Sequence, residues 1–296
     1  MTTVAYLGLG AIGAPMAAHL APPATTLTVW NRTADRAAAF ASRTGARAAA
    51  TPADAARGAE FVLTCFPTSR DVESILDGPT GLLAGLAKDS ILVDCTSGDP
   101  ATSKRIAARL RERGVGFLDA PVSGGVSGAE KGALTVMIGG DPALIERVRP
   151  VISKFGSKIV HAGPIGAGDA LKAVNNAMLA VHIWSLAEGL IALERVGVTR
   201  SVALDVINAS SGRSNTSQNL FPERVLTRAF PRTFRLALLD KDVGIAAGVA
   251  RDGAVNARLL DLTRMLFHEA RTSLGEEVDH VEAVKYVEKL SGLSGD

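Results

Sequence analysis

An amine and an amide stand four residues apart near the middle of this 296-residue chain, at Lys172 and Asn176. Residues at positions i and i+4 share one face of a helix, so the two side chains would lie next to each other. A lysine shielded from water can give a proton to an oxygen on which negative charge develops, and its charge stabilises that oxygen. The spacing therefore indicates Lys172 as a catalytic residue, with Asn176 holding the substrate or the lysine by hydrogen bonds.

Three glycines precede this pair, at Gly163, Gly166 and Gly168. Taken alone, a lysine on a helix is more often solvated than catalytic. The glycines favour the catalytic interpretation, because a backbone without side chains lets the start of a helix pack closely against another part of the protein.

A second glycine-rich segment lies close to the N-terminus. It follows an apolar run of strand length, Thr3–Gly8, and opens a helical stretch near 12–21. A G-x-G-x-x-G pattern in this context is typical of a turn that holds a dinucleotide pyrophosphate, and an ordinary strand–turn–helix link is the alternative. The predicted cofactor-binding residues are Gly8, Leu9, Gly10, Ala11, Ile12 and Gly13.

The residues after the next strand indicate which dinucleotide is bound. Sites that prefer NAD usually carry an acidic residue there, which bonds the ribose 2′-hydroxyl. This chain has Asn31, Arg32 and Thr33 instead. An arginine pairs with a 2′-phosphate, and the two polar neighbours can donate hydrogen bonds to it. The sequence therefore predicts NADP, with NAD still possible and a solvated surface arginine as the alternative.

Two further strand ends should face the same crevice, since ligands bind beyond the carboxyl ends of the strands in open α/β sheets. Phe66 and Pro67 follow one of these strands, and Thr96 follows the next. We expect these three residues to line the ribose and the nicotinamide.

The segment Asp119–Gly125 follows another strand and contains Ser123, Gly124 and Gly125. A serine followed by two glycines exposes a hydroxyl and backbone N–H groups without bulky side chains. Such a turn can bind a carboxylate, although a simple connecting turn is an equal alternative on spacing alone.

Four motifs in order along nearly the whole chain resemble the β-hydroxyacid dehydrogenase family, which includes the 3-hydroxyisobutyrate dehydrogenases. The motifs are Gly8–Gly13 with the following Ala14–Ala17, Asp119–Gly125, Gly163–Asn176 and Lys241–Gly244. The cofactor segment is most similar to members that use NADP, such as the glyoxylate/succinic semialdehyde reductases. The resemblance implies an NADP-dependent exchange between a short 3-hydroxy acid and its semialdehyde or keto acid.

The resemblance also implies roles for particular residues. Lys172 would be the general acid and base, and Ser123, Gly124 and Gly125 would bind the substrate carboxylate, with Asn176 beside them as a further substrate-binding residue. Lys241 would close over the cofactor and substrate, whereas the residues alone suggest only a solvent-facing charge pair with Asp242. The family further implies a homodimer or homotetramer formed through the helical domain.

Two other functions remain open on the sequence. One is an imine reductase-like enzyme, a class that resembles this fold but generally lacks the helix lysine. The other is a catalytically silent NADP-binding module. The loop Ser210–Ser217 departs from the family pattern, and Arg213 or Asn215 there either reads a second polar group of the substrate or lies on the surface.

Alternating strands and helices in the first half predict the scaffold for these residues. The fold class is an α/β Rossmann domain, with a doubly wound and mostly parallel sheet, followed by an all-α domain. The expected domains are residues 1–162 and 163–296, joined by a long helix at about 168–196. Expected strands are Thr3–Gly8, Leu27–Trp30, Glu60–Phe66, Ser90–Cys95, Gly116–Asp119, Leu134–Gly139 and Lys158–Ala162.

Expected helices in the first domain lie near 12–21, 33–44, 70–76 and 100–113. In the long helix, apolar residues recur at helical spacing, among them Leu171, Val174 and Met178. Residues 200–285 are expected to be helical, with a loop at Ser210–Asn215 and turns near Pro222 and Pro231.

The composition is that of an ordinary globular protein, with 47% hydrophobic and 21% charged residues. A formal net charge of +2 is too small to indicate nucleic acid or an anionic membrane as a partner. Neither a secretory signal nor a continuous apolar run of bilayer-spanning length is expected, and Cys65 and Cys95 are interpreted as buried thiols rather than a disulfide or metal pair. We therefore expect a cytoplasmic enzyme without a metal, acting on a small carboxylate-bearing substrate.

Overall fold

The computed structural model describes residues 1–293. The chain divides into two compact units, Met1–Lys172 and Ala173–Asp296. The boundary expected from the sequence, between residues 162 and 163, lies slightly earlier in the chain.

The first unit contains a nine-stranded sheet with the order β3-β2-β1-β4-β5-β6-β8-β7, and β9 pairs with β8. The strands from β3 to β6 are parallel, which is the order of a doubly wound dinucleotide-binding sheet. β6 and β7 each pair with β8 in antiparallel fashion. The strands are β1 Thr3–Leu7, β2 Thr26–Trp30, β3 Arg47–Ala48, β4 Phe61–Thr64, β5 Ile91–Asp94, β6 Gly116–Asp119, β7 Val122–Ser123, β8 Leu134–Gly139 and β9 Gly156–Gly163.

Helices cover both faces of this sheet, because its central strands are apolar on both sides. In β1, Tyr6 packs into one hydrophobic cluster and Leu7 packs into another. The helices are α1 Gly13–Ala18, α2 Ala34–Thr44, α3 Pro52–Ala56, α4 Ser69–Ser74, α5 Leu82–Gly85, α6 Pro100–Arg111, α7 Gly125–Glu130 and α8 Pro142–Ile152. The predicted fold class is thereby confirmed.

The second unit is helical. It includes most of α9, Ala167–Arg195, which starts in the first unit, and its core contains Ile183, Trp184 and Phe267. The remaining helices are α10 Arg200–Asn208, a π-helix Thr216–Val225, α11 Leu236–Asp252, α12 Arg258–Leu274, a 3₁₀ turn His280–Glu282 and α13 Ala283–Leu290.

Pro222 is a correction to the expected elements, since it lies inside the π-helix and not in a turn. The neighbouring Phe221 is fully buried in the core of the unit, so packing holds this segment helical despite the proline. Pro231 lies in an irregular connection, as expected.

The long helix α9 is confirmed, but the apolar residues that indicate it lie largely on its outer side. Leu171, Val174 and Met178 are exposed by 43%, 37% and 48%. The buried positions include Ala173 and Ala177, whose small side chains allow neighbouring helices to approach. Because this helix is apolar around most of its circumference, periodicity finds the helix without identifying its buried face.

By length and composition, α9 could also cross a membrane, and it is the one such helix among residues 1–293. About 44% of the 18-residue apolar stretch of this helix that is long enough to cross a membrane is buried inside the protein. A core helix of a protein without a membrane span can have the same length and composition, so these two properties are weak evidence for a membrane span.

Asp94, at the end of β5, is a buried carboxyl between two strands. The Thr64 hydroxyl donates to its Oδ1 at 2.8 Å, and the Thr96 N–H donates to the same atom at 3.0 Å. Burial opposes ionisation more strongly than these bonds favour it, and the pKa of Asp94 rises from 3.8 to about 6.

The raised pKa of Asp94 predicts a pH-dependent stability difference. The folded protein holds this proton more tightly than the unfolded chain, so the associated stability is present at low pH and is lost as the pH rises through about 6. Asp94→Asn removes the titration. Relative to the wild type, the free energy of unfolding of the variant should therefore increase by about 2 kcal/mol between about pH 4 and pH 7. Chemical denaturation of both proteins across this range measures the difference, and a difference that does not change with pH contradicts the assignment.

Candidate functional site

The turn between β1 and α1 is built from glycines in close backbone contact. Gly8 has φ of +103°, and a Cβ there would lie 2.2 Å from the Cys65 carbonyl oxygen. A Cβ on Gly13 would lie 2.0 Å from the Gly8 carbonyl oxygen. By contrast, a Cβ on the exposed Gly10 would meet no atom within 4 Å. The outer glycines thus shape the turn, while Gly10 leaves open backbone that suits the approach of a pyrophosphate.

An asparagine ties this turn to the end of β2. The Leu9 N–H donates to Asn31 Oδ1 at 3.0 Å, and Asn31 Nδ2 donates to the Thr33 carbonyl oxygen at 3.1 Å. Both ends of the amide are therefore used inside the protein, which makes Asn31 a support of the turn.

Arg32 and Thr33 lie at the N-terminal end of α2. The Arg32 side chain is 82% exposed, and its Nη1 is 3.4 Å from Asp71 Oδ1. Thr33 is the N-cap residue, and no side-chain capping bond engages its hydroxyl. A guanidinium, a hydroxyl and a helix N-terminus lie together here, and each attracts phosphate.

The ends of β4 and β5 are linked by Thr96. Its hydroxyl accepts a hydrogen bond from the Phe66 N–H at 3.0 Å, and the residue is buried. Phe66 packs edge-on against Trp30, and Pro67 is exposed. Thr96 thus supports the turn that presents Phe66 and Pro67.

The segment after β6 forms β7 and then turns into α7. Ser123 pairs with Thr135 of β8 and is half-buried. Gly124 and Gly125 are exposed, with φ of +137° and +65°, conformations that favour glycine. A serine hydroxyl followed by accessible backbone suits the predicted carboxylate site.

The start of α9 is held by the carboxylate of Asp119. The N–H groups of Gly166 and Asp169 donate to it at 2.7 and 3.0 Å. The Asp169 carboxylate in turn accepts from the Gly98 N–H at 3.0 Å and the Ser103 hydroxyl at 2.6 Å. Burial raises the pKa of both carboxyls. Sequence reasoning included Asp119 only as part of a motif and missed the role of Asp169.

Lys172 follows one turn after Asp169 and is 8% exposed. Its burial distinguishes it from the solvated lysine that was the alternative, because an ammonium group is seldom buried without a specific environment.

In the second unit, Asp242 brings two predicted site residues together. Asn176 Nδ2 donates to Asp242 Oδ2 at 2.6 Å, and Lys241 Nζ lies 2.9 Å from Asp242 Oδ1. Asp242 is buried, so the interpretation of a solvent-facing charge pair is wrong for this residue. The i,i+1 spacing from Lys241 gave no signal that the carboxylate turns inward.

The loop Ser210–Ser217 is closed by paired serine bonds: the Ser214 N–H donates to Ser217 Oγ at 2.8 Å, and the Ser217 N–H donates to Ser214 Oγ at 3.1 Å. Arg213 and Asn215 are both exposed on it.

Both cysteines are free thiols: Cys95 is buried and Cys65 is half-buried. Burial raises the pKa of Cys65 to about 12, which makes this thiol a poor nucleophile. Within residues 1–293, no cluster of three or more His, Cys, Asp or Glu side chains could hold a metal ion.

Family models match both units. The model described as the NAD binding domain of 6-phosphogluconate dehydrogenase matches residues 3–163. The model described as NAD-binding of NADP-dependent 3-hydroxyisobutyrate dehydrogenase matches residues 166–287.

Individual relatives agree with the family models. The 2-(hydroxymethyl)glutarate dehydrogenase of Eubacterium barkeri is 33% identical over 292 residues, with 98% of this chain and 96% of that protein covered. The 3-hydroxyisobutyrate dehydrogenase of Pseudomonas aeruginosa is 35% identical over 274 residues, with 90% and 91% covered. A structure of the Mycobacterium tuberculosis 3-hydroxyisobutyrate dehydrogenase with L-serine has a TM-score of 0.87 at 28% identity and covers 97% of this chain and 99% of that chain.

The sheet order, the glycine turn and these likenesses define a nicotinamide-dependent oxidoreductase. The chain belongs to the β-hydroxyacid dehydrogenase family and is an NAD(P)-dependent hydroxyacid dehydrogenase.

The geometry of the glycine turn predicts that one alanine substitution lowers the stability of the protein and another weakens dinucleotide binding. In Gly13→Ala the new Cβ would collide with backbone, so the protein should lose stability, by about 2 kcal/mol or more, even without cofactor. In Gly10→Ala the Cβ meets no protein atom, so stability should stay within about 0.5 kcal/mol while the Kd for the dinucleotide rises. Denaturation without ligand and fluorescence titration with NADPH measure the two quantities. Equal stability losses in both variants would refute this division of roles.

Proposed function

We propose that this enzyme interconverts a short 3-hydroxy acid and its semialdehyde with NADP as cofactor, and that Lys172 is the general acid and base. The observation that carries the proposal is the burial of Lys172 on the first turns of α9, which Asp119 and Asp169 anchor at the carboxyl edge of the parallel sheet. Reacting groups of doubly wound enzymes are found at this edge.

The residues fit a dinucleotide phosphorylated on its adenosine ribose. The open backbone around Gly10 accepts the pyrophosphate, and Arg32 with Thr33 provides charge and a hydroxyl for a 2′-phosphate. Phe66 and Pro67 line the ribose and nicotinamide, as the sequence predicts. When bound, the nicotinamide supplies the hydride for reduction or accepts it in the reverse direction.

Each remaining group acts on the substrate. Ser123, Gly124 and Gly125 bind its carboxylate, and Asn176, oriented by Asp242, donates a further hydrogen bond. Lys172 gives a proton to the carbonyl oxygen during reduction and removes it during oxidation, and its charge stabilises the intervening alkoxide. The family resemblance supports Lys241 as a further cofactor-binding residue.

The named substrates of the relatives support a particular substrate class. Both 2-(hydroxymethyl)glutarate and 3-hydroxyisobutyrate carry a primary alcohol on the carbon next to the one that bears the carboxylate. A site with one carboxylate-binding turn and one lysine suits this arrangement. The proposed reaction therefore converts the terminal CH₂OH of such an acid to an aldehyde, or the reverse.

The assembly and location are proposals as well. Exposed apolar side chains in the second unit support a homodimer or homotetramer formed through its helices, among them Val174, Met178, Val206, Leu259 and Met265.

The two free thiols support the cytoplasm as the location, since thiols persist in reducing compartments.

Replacement of the lysine tests the reaction. Lys172→Ala should lower kcat for a short semialdehyde by roughly 10²- to 10⁴-fold, because the proton donor is lost. The Kd for NADPH should change by less than about threefold, since α1 and α2 hold the cofactor. Lys158→Ala, at an exposed lysine of the same unit, is the matched control and should keep wild-type kcat. Wild-type turnover by Lys172→Ala would rule out the proposed role.

Cofactor choice has a separate test. Arg32→Asp should lower the ratio of kcat/KM for NADPH to that for NADH by about 100-fold, because a charge-assisted bond is replaced by repulsion. Arg43→Asp, in the last turn of the same helix, makes the same charge change away from the site and should leave the ratio within about twofold. If both variants keep the wild-type ratio, the proposed preference for NADP has lost its basis.

A further inference from the structure

We propose that Asp119 and Asp169 are positioning residues for the reaction: together they fix the start of α9 and thereby the place of the Lys172 amine. The inference rests on the proposed role of Lys172.

Asp119 lies outside the helix and accepts from its start, whereas Asp169 lies on the helix and accepts from residues outside it. Asp119 belongs to β6 and accepts N–H bonds from Gly166, just before α9, and from Asp169 in its first turn. Asp169 belongs to α9 itself and accepts from Gly98 and from Ser103 of α6. The helix start is thus bonded to two separate places at the carboxyl edge of the sheet, so neither rotation nor sliding is possible without breaking a bond.

Glycines let backbone surround both carboxylates. A Cβ on Gly139 would lie 2.4 Å from Asp119 Oδ1, and a Cβ on Gly168 would lie 2.4 Å from the Met137 carbonyl oxygen and 2.9 Å from Asp119 Oδ2. A Cβ on Gly98 would lie 3.0 Å from Asp169 Oδ2. Because rigid backbone fills this space, the helix start has little room to shift.

The arrangement is poorly suited to stability alone. Burial raises the pKa of both Asp119 and Asp169, and the nearby charges of Asp119 and Asp94 raise the pKa of Asp169 further. Neutral acceptors would cap the helix without that cost. A carboxyl group, however, has two oxygens that can accept from two residues at once, as Asp119 does from Gly166 and Asp169, and this favours accurate placement of whatever the helix carries.

Accurate placement matters because a shift of about 1 Å in a reacting group can cost about 10²-fold in rate. We call Asp119 and Asp169, with the groups bonded to them, the clamp. Lys172 lies one turn beyond Asp169, so a displacement of the clamp also displaces the Lys172 amine. The side chains that hold the cofactor lie on other elements and should not feel this change.

The test compares variants of the clamp with and without the lysine. Asp119→Asn places a side-chain N–H group against one of the two backbone N–H donors, of Gly166 or Asp169. Ser103→Ala removes the hydroxyl from which Asp169 accepts a hydrogen bond. Asp141→Asn is the matched control, because Asp141 also accepts a backbone N–H at a helix start but is the N-cap residue of a different helix, α8. The measurements are kcat, KM and the NADPH Kd of each variant, and single-turnover rates in the Lys172→Ala background.

Asp119→Asn should lower kcat by about 10- to 100-fold and Ser103→Ala by about 3- to 10-fold, with the NADPH Kd within about threefold of wild type. In the Lys172→Ala background, both substitutions should change the rate by less than about twofold, since the group that they position is gone. Asp141→Asn should keep wild-type kcat. Ser103→Ala decides the matter if Asp119→Asn does not fold.

Two outcomes overturn the inference: unchanged kcat in the clamp variants, or losses of equal size with and without Lys172, which would indicate a structural role only. The proposed function fails separately, if Lys172→Ala alone retains wild-type kcat.

Discussion

The hydrogen bonds from Gly166 and Asp169, at the start of α9, to the buried Asp119 carboxylate are the interaction on which the proposed site depends. They join the end of a strand in the first unit to a helix that continues for 29 residues and supplies core side chains to the second. Lys172 lies just beyond this junction, and Asn176 follows one turn later. A small set of backbone N–H donors at the sheet edge therefore fixes the part of α9 that carries Lys172 and Asn176.

The first unit shows how much of such a protein is readable from its sequence. The alternation of strands and helices and the glycine turn predict the sheet because each reflects a local rule, of burial or of backbone conformation. The turn is readable because close backbone contacts admit only glycine at its two ends, Gly8 and Gly13. The helices α3 and α8 escaped prediction, although a capping residue followed by proline, as at Thr51–Pro52 and Asp141–Pro142, marks the start of each.

The parts that could not be predicted depend on contacts between residues far apart in the chain. Nothing near Asp169 shows that its carboxylate reaches Ser103, 66 positions earlier. Asp242 reads as a surface charge beside Lys241 until the fold brings Asn176 against it. The buried face in the first part of α9 is hidden for a related reason: from residue 172 to residue 180 it is formed by alanines, Lys172 and Asn176, while larger apolar residues such as Met178 are exposed. Near Lys172, side-chain size and polarity therefore predict the wrong face of the helix as the buried one.

The most direct measurement is the distance from Lys172 Nζ to the reacting oxygen in a crystal structure of the dead-end complex with NADPH and a short 3-hydroxy acid. The account predicts a hydrogen bond of about 3 Å between that nitrogen and the hydroxyl of the acid. A complex in which another residue bonds the hydroxyl, with the amine more than about 5 Å away, would contradict it.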